Sequence, residues 1–381
     1  MKIFCEDTLL YAKSFFSDVG ECYFFSGATV SPEFIKEADI LLVRSTTKVN
    51  ESLLSQCQHL KFVGTGTAGT NHIDNTYLAS RGLKAINAGG CNAAAVVEYV
   101  LCSMLNLACK RQVNLFEQKV GIVGVGNIGS LLNTRLNSMG IQTELYDPPL
   151  QNAGDSREFS SFEEILKCDW ITLHVPLVME GDYPTNNMFS EEVLAQLADH
   201  QVLINACRGE VVDNQGLLNL KRGGRQFGLV IDVWNNEPDI LFDLVEHTDI
   251  ATAHIAGHTL EGKGKGTEIL YQAVCQQFAL PMTHNLVNFL PEIDNNRLSL
   301  KGTDARMLEL HQLTAQVYDV ESDSQHFRGM VRNAQEFQAY RKKYAVRREF
   351  SSYIVQENAK LNASILAGLG FSLNENEWSK S

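Results

Sequence analysis

No Cys-x-x-Cys pair occurs in these 381 residues, and the nine cysteines are scattered without metal-ligand or disulfide-framework spacing. That excludes a cysteine-built metal centre, so no metal is expected. It fits a reducing, cytoplasmic setting in which most thiols are small core residues. Positive charge is also short. With 32 Lys and Arg against 45 Asp and Glu, the formal net charge is −13, which argues against nucleic acid or an anionic membrane as a partner. Any anionic substrate must be met by local cations. The first residues, MKIFCEDTLLYAK, lack the charged-then-apolar layout of a secretory signal. The most apolar run, residues 93–109, is interrupted by Glu98 and Asn106, which predicts a buried or interfacial helix and not a membrane span. Internal repeats and low-complexity segments are absent. What is present is core material: 44% of residues are hydrophobic, ample for two or three domains.

The chain is organised around residues 120–147, VGIVGVGNIGSLLNTRLNSMGIQTELYD. The opening apolar run reads as a buried parallel strand. Gly124-Val125-Gly126-Asn127-Ile128-Gly129 follows at once, and Leu131, Leu132, Leu136 and Met139 then recur at helical spacing. Gly140 stops the helix, residues 142–146 read as the next strand, and Asp147 closes it. In this order the parts form a dinucleotide-binding pattern. Gly124 permits the tight turn, Gly126 lets a pyrophosphate approach the backbone, and Gly129 lets the helix sit close on the strand. The free N–H groups at the helix start face the anion. Asp147 is placed to accept hydrogen bonds from an adenosine ribose. Pro148 and Pro149 follow it, and no Arg or Lys stands there for a 2′-phosphate, so the expected cofactor is NAD and not NADP.

Before this stretch, residues 2–5, 38–44 and 60–67 read as strands, the second ending in Arg44-Ser45-Thr46-Thr47 and the third in a Gly- and Thr-rich loop. Such loops at strand ends are where open α/β sheets bind ligands. After it, strands are predicted at 170–175, 201–207, 226–233 and 249–254, with a capping-box helix start at Ser161-Phe162-Glu163-Glu164 and a helix at 267–278. From about Pro291 the alternation is lost. A basic cluster of Arg341, Lys342, Lys343, Arg347 and Arg348 appears, residues 350–355 read as a strand and 360–369 as a helix. The expected fold is α/β. A first domain comprises residues 1–100 and 275–290 and a second 101–274, each doubly wound and Rossmann-like, with a deep cleft. A small C-terminal α+β domain, 291–381, completes it.

Arg208, Glu237 and His254 stand at strand ends after the glycine turn, where a doubly wound sheet gathers its ligand-binding residues. Together they suit one reaction. Arginine binds a carboxylate bidentately. Histidine takes a hydroxyl proton as hydride leaves the same carbon. A carboxylate on the far imidazole nitrogen fixes the tautomer and stabilises the imidazolium.

The segments GTGTAGTNHID (64–74), GIVGVGNIG (121–129), NACRGEVVD (205–213), DVWNNEP (232–238) and HIAGHTLEG (254–262) resemble the D-isomer-specific 2-hydroxyacid dehydrogenases over about residues 1–285. The resemblance implies NAD-dependent oxidation of a small 2-hydroxy acid. It assigns the substrate carboxylate to Arg208, acid/base work to His254 and its support to Glu237. It also implies a dimer with the 93–107 region at the interface. Further segments, VRSTTKVNESLL (43–54), GGCNAAAVVEYV (89–100), HIAGHTLEGK (254–263) and YRKKYAVRREFSS (340–352), extend the likeness over essentially the whole chain, to a branch of the family whose substrate is phosphorylated. By position, Ser45 and Thr67 would then contact substrate, and Asp147, Asp232 and Gly257 the NAD. Two residues depart from the pattern: His258 stands where a substrate-contacting tyrosine is usual, and Val175 where a threonine near the cofactor is common. A phosphate carries close to two charges and is commonly held by several donors. Arg44 is the evident cation beside the Ser45 loop, so Arg347 or Arg348 is expected to reach in from a partner subunit of a homodimer, the C-terminal domain aiding dimerisation. The rival readings are another D-2-hydroxyacid dehydrogenase, such as one for 3-phosphoglycerate, and a non-catalytic NAD-sensing protein.

Overall fold

Short runs of branched residues, buried on both faces, form parallel strands in both parts of the chain. The computed structural model describes residues 1–302, 305–345, 347–356 and 361–373. These fall into two units, Met1–Ala93 with His258–Glu292, and Ala94–Gly257 with Ile293–Ser381. The division differs from the boundaries read in the sequence. The helix Leu260–Gln277 goes with the first unit, and residues after 292 go with the second.

In the first unit, β1 (Lys2–Glu6), β2 (Glu21–Phe25), β3 (Ile40–Val43), β4 (Phe62–Thr65) and β5 (Ala85–Asn87) form one parallel sheet in the order β2-β1-β3-β4-β5. The order reverses between β1 and β3, a switch point at which such sheets bind ligands beyond the strand ends. Glu6 ends β1, and Arg44 follows β3. The helix Leu260–Gln277 begins earlier than the predicted 267, at the N-cap Thr259. Its early glycines are there for contact: a Cβ on Gly266 would lie 2.5 Å from the Gly66 carbonyl oxygen, in the loop after β4.

In the second unit, β6 (Lys119–Val123), β7 (Gln142–Tyr146), β8 (Trp170–Leu173), β9 (Val202–Asn205), β10 (Gly228–Ile231) and β11 (Ile250–Ala251) are parallel, in the order β11-β10-β9-β8-β6-β7. The switch point lies between β6 and β8. The helix Ala93–Arg111 is long and apolar enough to cross a membrane, but 83% of its apolar window is buried inside the protein. Glu98 interrupts that run with a structural task. Its Oε1 accepts from the Phe350 N–H at 3.0 Å and lies 3.6 Å from Arg135 Nη1. Burial, then the nearby Glu349 charge, pushes its carboxyl up to about 8 despite Arg135.

The residues after 292 share the core of this unit. Leu310, Leu313, Phe350, Leu366 and Phe371 pack in one cluster with Val97, Leu101, Ile122 and Leu132. The Phe350 and Phe371 rings stack at 4.6 Å, and each such buried side chain contributes roughly 1.5–3 kcal/mol. This part contains helices Arg306–Val317, Val320–Met330, Ala334–Lys343 and Ala363–Leu369 and a two-stranded parallel sheet of β12 (Arg297–Leu298) and β13 (Ile354–Val355). The strand predicted at 350–355 survives only as β13, because Phe350–Ser352 forms a 3₁₀ turn. Of the predicted helix 360–369, Lys360 lies outside the described residues. Val320–Met330 packs along β11, the sheet's edge strand, and Ser324 Oγ accepts from the Ala251 N–H at 3.0 Å.

Candidate active site

The glycine turn leaves β6 at the switch point. Gly124 has φ +87°, and a Cβ there would lie 2.7 Å from the His174 backbone and 2.8 Å from Val175 Cγ1. Val175, just after β8, therefore stands beside the turn. A Cβ on Gly129 would overlap the Gly124 carbonyl oxygen, whereas one on Gly126 meets nothing within 4 Å. Close packing is thus confined to Gly124 and Gly129, while Gly126 borders open space of the kind a pyrophosphate needs. The helix Asn127–Ser138 starts there with Gly126 as N-cap, its first residues Asn127 exposed and Ile128 half-buried. These residues fit a dinucleotide.

Asp147 follows β7 with both oxygens engaged: Oδ2 accepts from the Val125 N–H at 2.7 Å and Oδ1 from the Leu150 N–H at 3.1 Å. The carboxylate therefore lies against the glycine turn. Sequence reading missed a cation close by. Arg157 Nη1 donates to Val125 O at 3.1 Å and to Ser130 Oγ at 2.6 Å, and the same guanidinium forms a fork with Asp155 at 2.8 Å. With its charge paired to Asp155, Arg157 is a brace under the turn.

His254 follows β11 and Glu237 follows β10. His254 Nδ1 is 2.7 Å from Glu237 Oε2, and Glu237 Oε1 accepts from the Trp234 N–H at 2.9 Å. Burial pushes the Glu237 carboxyl up, but the His254 hydrogen bond and charge, the Trp234 N–H and the Arg341 charge outweigh it, so the group lies below the usual carboxylate range. It is held as a carboxylate, which fixes the imidazole and leaves Nε2 for chemistry. Arg208 follows β9, and its Nη1 donates to Cys207 O at 2.6 Å. A Cβ on neighbouring Gly209 would overlap the Trp234 backbone, so the Arg208 turn is pressed against the segment that carries Glu237. Trp234 Nε1 donates to Thr252 O at 2.8 Å. One tryptophan thereby ties the turns of Arg208, Glu237 and His254 together.

Asp232 is 1% exposed. Its carboxylate accepts from Thr252 Oγ1 (2.6 Å), the Ile255 N–H (2.8 Å) and the Ala256 N–H (3.0 Å). The sequence reading set it near the cofactor; in the structure it lies under the histidine loop, which ends at Gly257.

In the first unit, Arg44, Ser45 and Thr67 sit in the loops after β3 and β4, with Ser45 exposed and Arg44 and Thr67 half-buried. Thr67 Oγ1 is 2.8 Å from Thr65 Oγ1 and donates to Gly69 O at 2.9 Å. His72 Nε2 is 3.0 Å from Thr65 Oγ1, and burial lowers the His72 imidazole against the pull of Glu6. Half-buried His258 precedes the N-cap Thr259. Glu6 was not foreseen. Fully buried at the switch point, it accepts from the Arg44 N–H (2.8 Å), Thr47 Oγ1 (2.6 Å), Thr8 Oγ1 (2.6 Å) and Thr46 Oγ1. Burial raises its carboxyl, and these four donors more than offset that, so it lies below the usual range. It shapes the Arg44–Thr47 loop. The signal was an acid at the end of an apolar strand, KIFCE.

Within the basic cluster, Arg347 is not placed as read. Arg347 turns inward, donating to Ala95 O (2.9 Å), Ile255 O (3.2 Å) and Ala256 O (2.7 Å) of its own chain. Arg341 Nε donates to His254 O at 3.2 Å, and Arg348 to Ser352 Oγ at 3.1 Å. Arg347 thus spends three hydrogen bonds on the backbone of its own chain.

Residues 105–256 match the family model described as D-isomer specific 2-hydroxyacid dehydrogenase, NAD binding domain. Residues 289–370 match a domain of unknown function, DUF3410. Erythronate-4-phosphate dehydrogenase of Pseudoalteromonas atlantica is 46% identical over 371 residues, covering 97% of this chain and 99% of that protein. Its namesake from Psychromonas ingrahamii is 45% identical, covering 98% and 97%. Among solved structures, 3-phosphoglycerate dehydrogenase of Entamoeba histolytica with NAD⁺ bound has a TM-score of 0.61 at 23% identity, covering 73% of this chain and 95% of that one. NAD-dependent formate dehydrogenase of Staphylococcus aureus, in complex with NAD, has 0.58 at 22%, covering 77% and 98%. These two show the fold.

Proposed function

The chain belongs to the D-isomer specific 2-hydroxyacid dehydrogenase family, among its erythronate-4-phosphate dehydrogenases, and from that premise we propose that it oxidises the 2-hydroxyl of 4-phospho-D-erythronate to 3-hydroxy-2-oxo-4-phosphooxybutanoate. It is an NAD-dependent oxidoreductase. The observation that carries the proposal is the 2.7 Å His254–Glu237 pair with Arg208 braced beside it through Trp234.

The Gly124–Gly129 turn, Val175, Asp147, Asp232 and Gly257 would hold NAD, which would supply the hydride acceptor when bound. Arg208 pairs with the C1 carboxylate. His254 Nε2 takes the C2 hydroxyl proton as the C2–H bond breaks and the carbonyl forms. Glu237, already ionised, stabilises the resulting imidazolium. Ser45, Thr67, His258 and Arg44 are assigned the phosphorylated end. The setting proposed is the cytoplasm, in the synthesis of pyridoxine 5′-phosphate, as a homodimer. Nine cysteines without framework spacing fit a reducing compartment, and light scattering at twice 42.4 kDa would establish the dimer.

The test is NADH absorbance on adding 4-phosphoerythronate to NAD-loaded protein. Turnover with 3-phosphoglycerate in its place would move the assignment to that substrate. No turnover with either would favour a sensor.

Asp147 is expected to set cofactor choice. Its carboxylate would repel a 2′-phosphate, and Arg157 is already paired with Asp155. Asp147→Ala should narrow the NAD over NADP ratio in kcat/KM by about tenfold or more, roughly the 1.4 kcal/mol of one such electrostatic contact. Equal use of both cofactors by the unaltered enzyme would show that Asp147 does not face the ribose.

Glu6→Gln should act on the substrate loop. It removes the charge from a buried carboxylate with four donors, each such bond contributing about 1.5–3 kcal/mol. The expectation is a KM for 4-phosphoerythronate raised about tenfold with kcat little changed. A fall confined to kcat would refute that reading.

A further inference from the structure

We propose that Arg347 and Arg341, from the segment matching a domain of unknown function, are positioning residues that hold the catalytic histidine loop in place from within the same chain. The inference rests on reading His254 as the base.

The loop of His254, Ile255 and Ala256 has six backbone polar groups, and each has a partner. On the donor side, the His254 N–H meets Asp232 O at 2.7 Å, and the Ile255 and Ala256 N–H groups meet the two Asp232 carboxylate oxygens. On the acceptor side all three partners come from the extension: His254 O takes Arg341 Nε, Ile255 O takes Arg347 Nη1, and Ala256 O takes Arg347 Nη2. The loop is gripped between one buried carboxylate and two guanidinium groups.

It needs such a grip. His254 has φ +56°, a left-handed conformation that is uncommon outside glycine and persists only where its surroundings over-determine it. Released, the backbone would relax toward ordinary φ and swing the imidazole off Glu237.

Arg347 is itself anchored. Its Nη2 also binds Ala95 O at the start of the long helix, and its guanidinium lies over the Tyr318 ring at 4.1 Å. Three carbonyls at fixed spacing suit a planar fork and not an ammonium group. A solvated surface arginine would have no reason to enclose its head group among neutral carbonyls, where the loss of hydration is large. The place chosen is the backbone of the proposed base.

The test uses the full-length holoenzyme. Arg347→Lys keeps the charge and loses the fork; Arg347→Met loses both; Arg341→Gln removes the outer contact. Misplacing a catalytic group by about 1 Å can lower rates by about 10²-fold. Turnover should therefore fall about tenfold in Arg347→Lys and about 10²-fold in Arg347→Met, with KM within about threefold of the unaltered enzyme. The second readout needs no substrate. The His254 Nδ1–H proton, observed by NMR in Arg347→Lys and Arg341→Gln, should lose the downfield position of a proton shared with a carboxylate, because the imidazole no longer meets Glu237. Arg347→Lys keeps the formal charge at its position, so a change in that signal reports geometry. A lower melting temperature with unchanged kcat and an unchanged His254 Nδ1–H signal would overturn the proposal and leave Arg347 as structural glue. If Arg347→Met does not fold, the other two variants decide. If the unaltered enzyme shows no turnover, the functional reading fails, and the NMR signal alone judges the grip.

Discussion

Turnover in His254→Ala is expected to fall by about 10²–10⁴-fold, the usual contribution of a positioned general base, while NAD binding, followed by cofactor fluorescence, stays close to normal. The split follows from where the residues sit. The cofactor-fitting parts, Gly124 to Gly129 and Asp147, lie on β6, the helix after it and β7, and none bonds to the His254 side chain. The imidazole instead meets Glu237. Removing it leaves that carboxylate partly exposed to water, with its Trp234 N–H bond intact, so the loop has no cause to unfold. Near-normal turnover would sink the assignment. A matched loss of cofactor affinity would mean that the histidine shapes the whole site and is not the base.

Arg208→Met should lower kcat/KM by about 10²–10³-fold, since two hydrogen bonds to a charged carboxylate contribute about 1.5–3 kcal/mol each and the residue's partial exposure weakens both. Arg208→Lys should recover only part of this, because an ammonium cannot present the fork. Stability should hardly change in either: the Arg208 side chain bonds its neighbour's carbonyl, Cys207 O, while the turn is fixed by Gly209 against Trp234. Unchanged kcat/KM on a 2-hydroxy acid would remove Arg208 from the substrate carboxylate. A large loss of stability would make it part of the scaffold.

The glycine turn and the three strand-end residues were legible because each follows from local chemistry. A tight strand-to-helix turn needs glycine, and strand ends in a doubly wound sheet gather ligand-binding groups. Strands β2 and β5 were missed because they are the sheet's edges. Glu21, Phe24 and Asn87 are exposed, so neither strand shows the continuous apolar run of a buried one. The front of Leu260–Gln277 was hidden by Gly262, Gly264 and Gly266, poor helix formers retained because neighbouring groups come too close for a Cβ. Glu6 carries no motif; only the fold brings Thr8, Arg44, Thr46 and Thr47 to it. Arg347 was misassigned for a similar reason. A sequence displays a cluster of charge, but whether a guanidinium faces solvent, a phosphate or a set of carbonyls is settled by packing with residues some ninety positions away.

The edge strand β11 has a consequence for how this protein is made. The residue that caps its Ala251 N–H, Ser324, comes 73 positions later in the chain. At a synthesis rate of roughly 5–20 residues per second, that is a wait of roughly 4–15 seconds. The rest of the sheet can form meanwhile, with one row of N–H and C=O groups uncovered. Bare edges of this kind recruit other chains, and crowded polysomes hold many copies of the same edge. The strand that leads into the proposed base, His254, is thus sheltered well after it is made, and the interval before it is covered is when a nascent chain is exposed there to pairing with its neighbours or to capture by a chaperone.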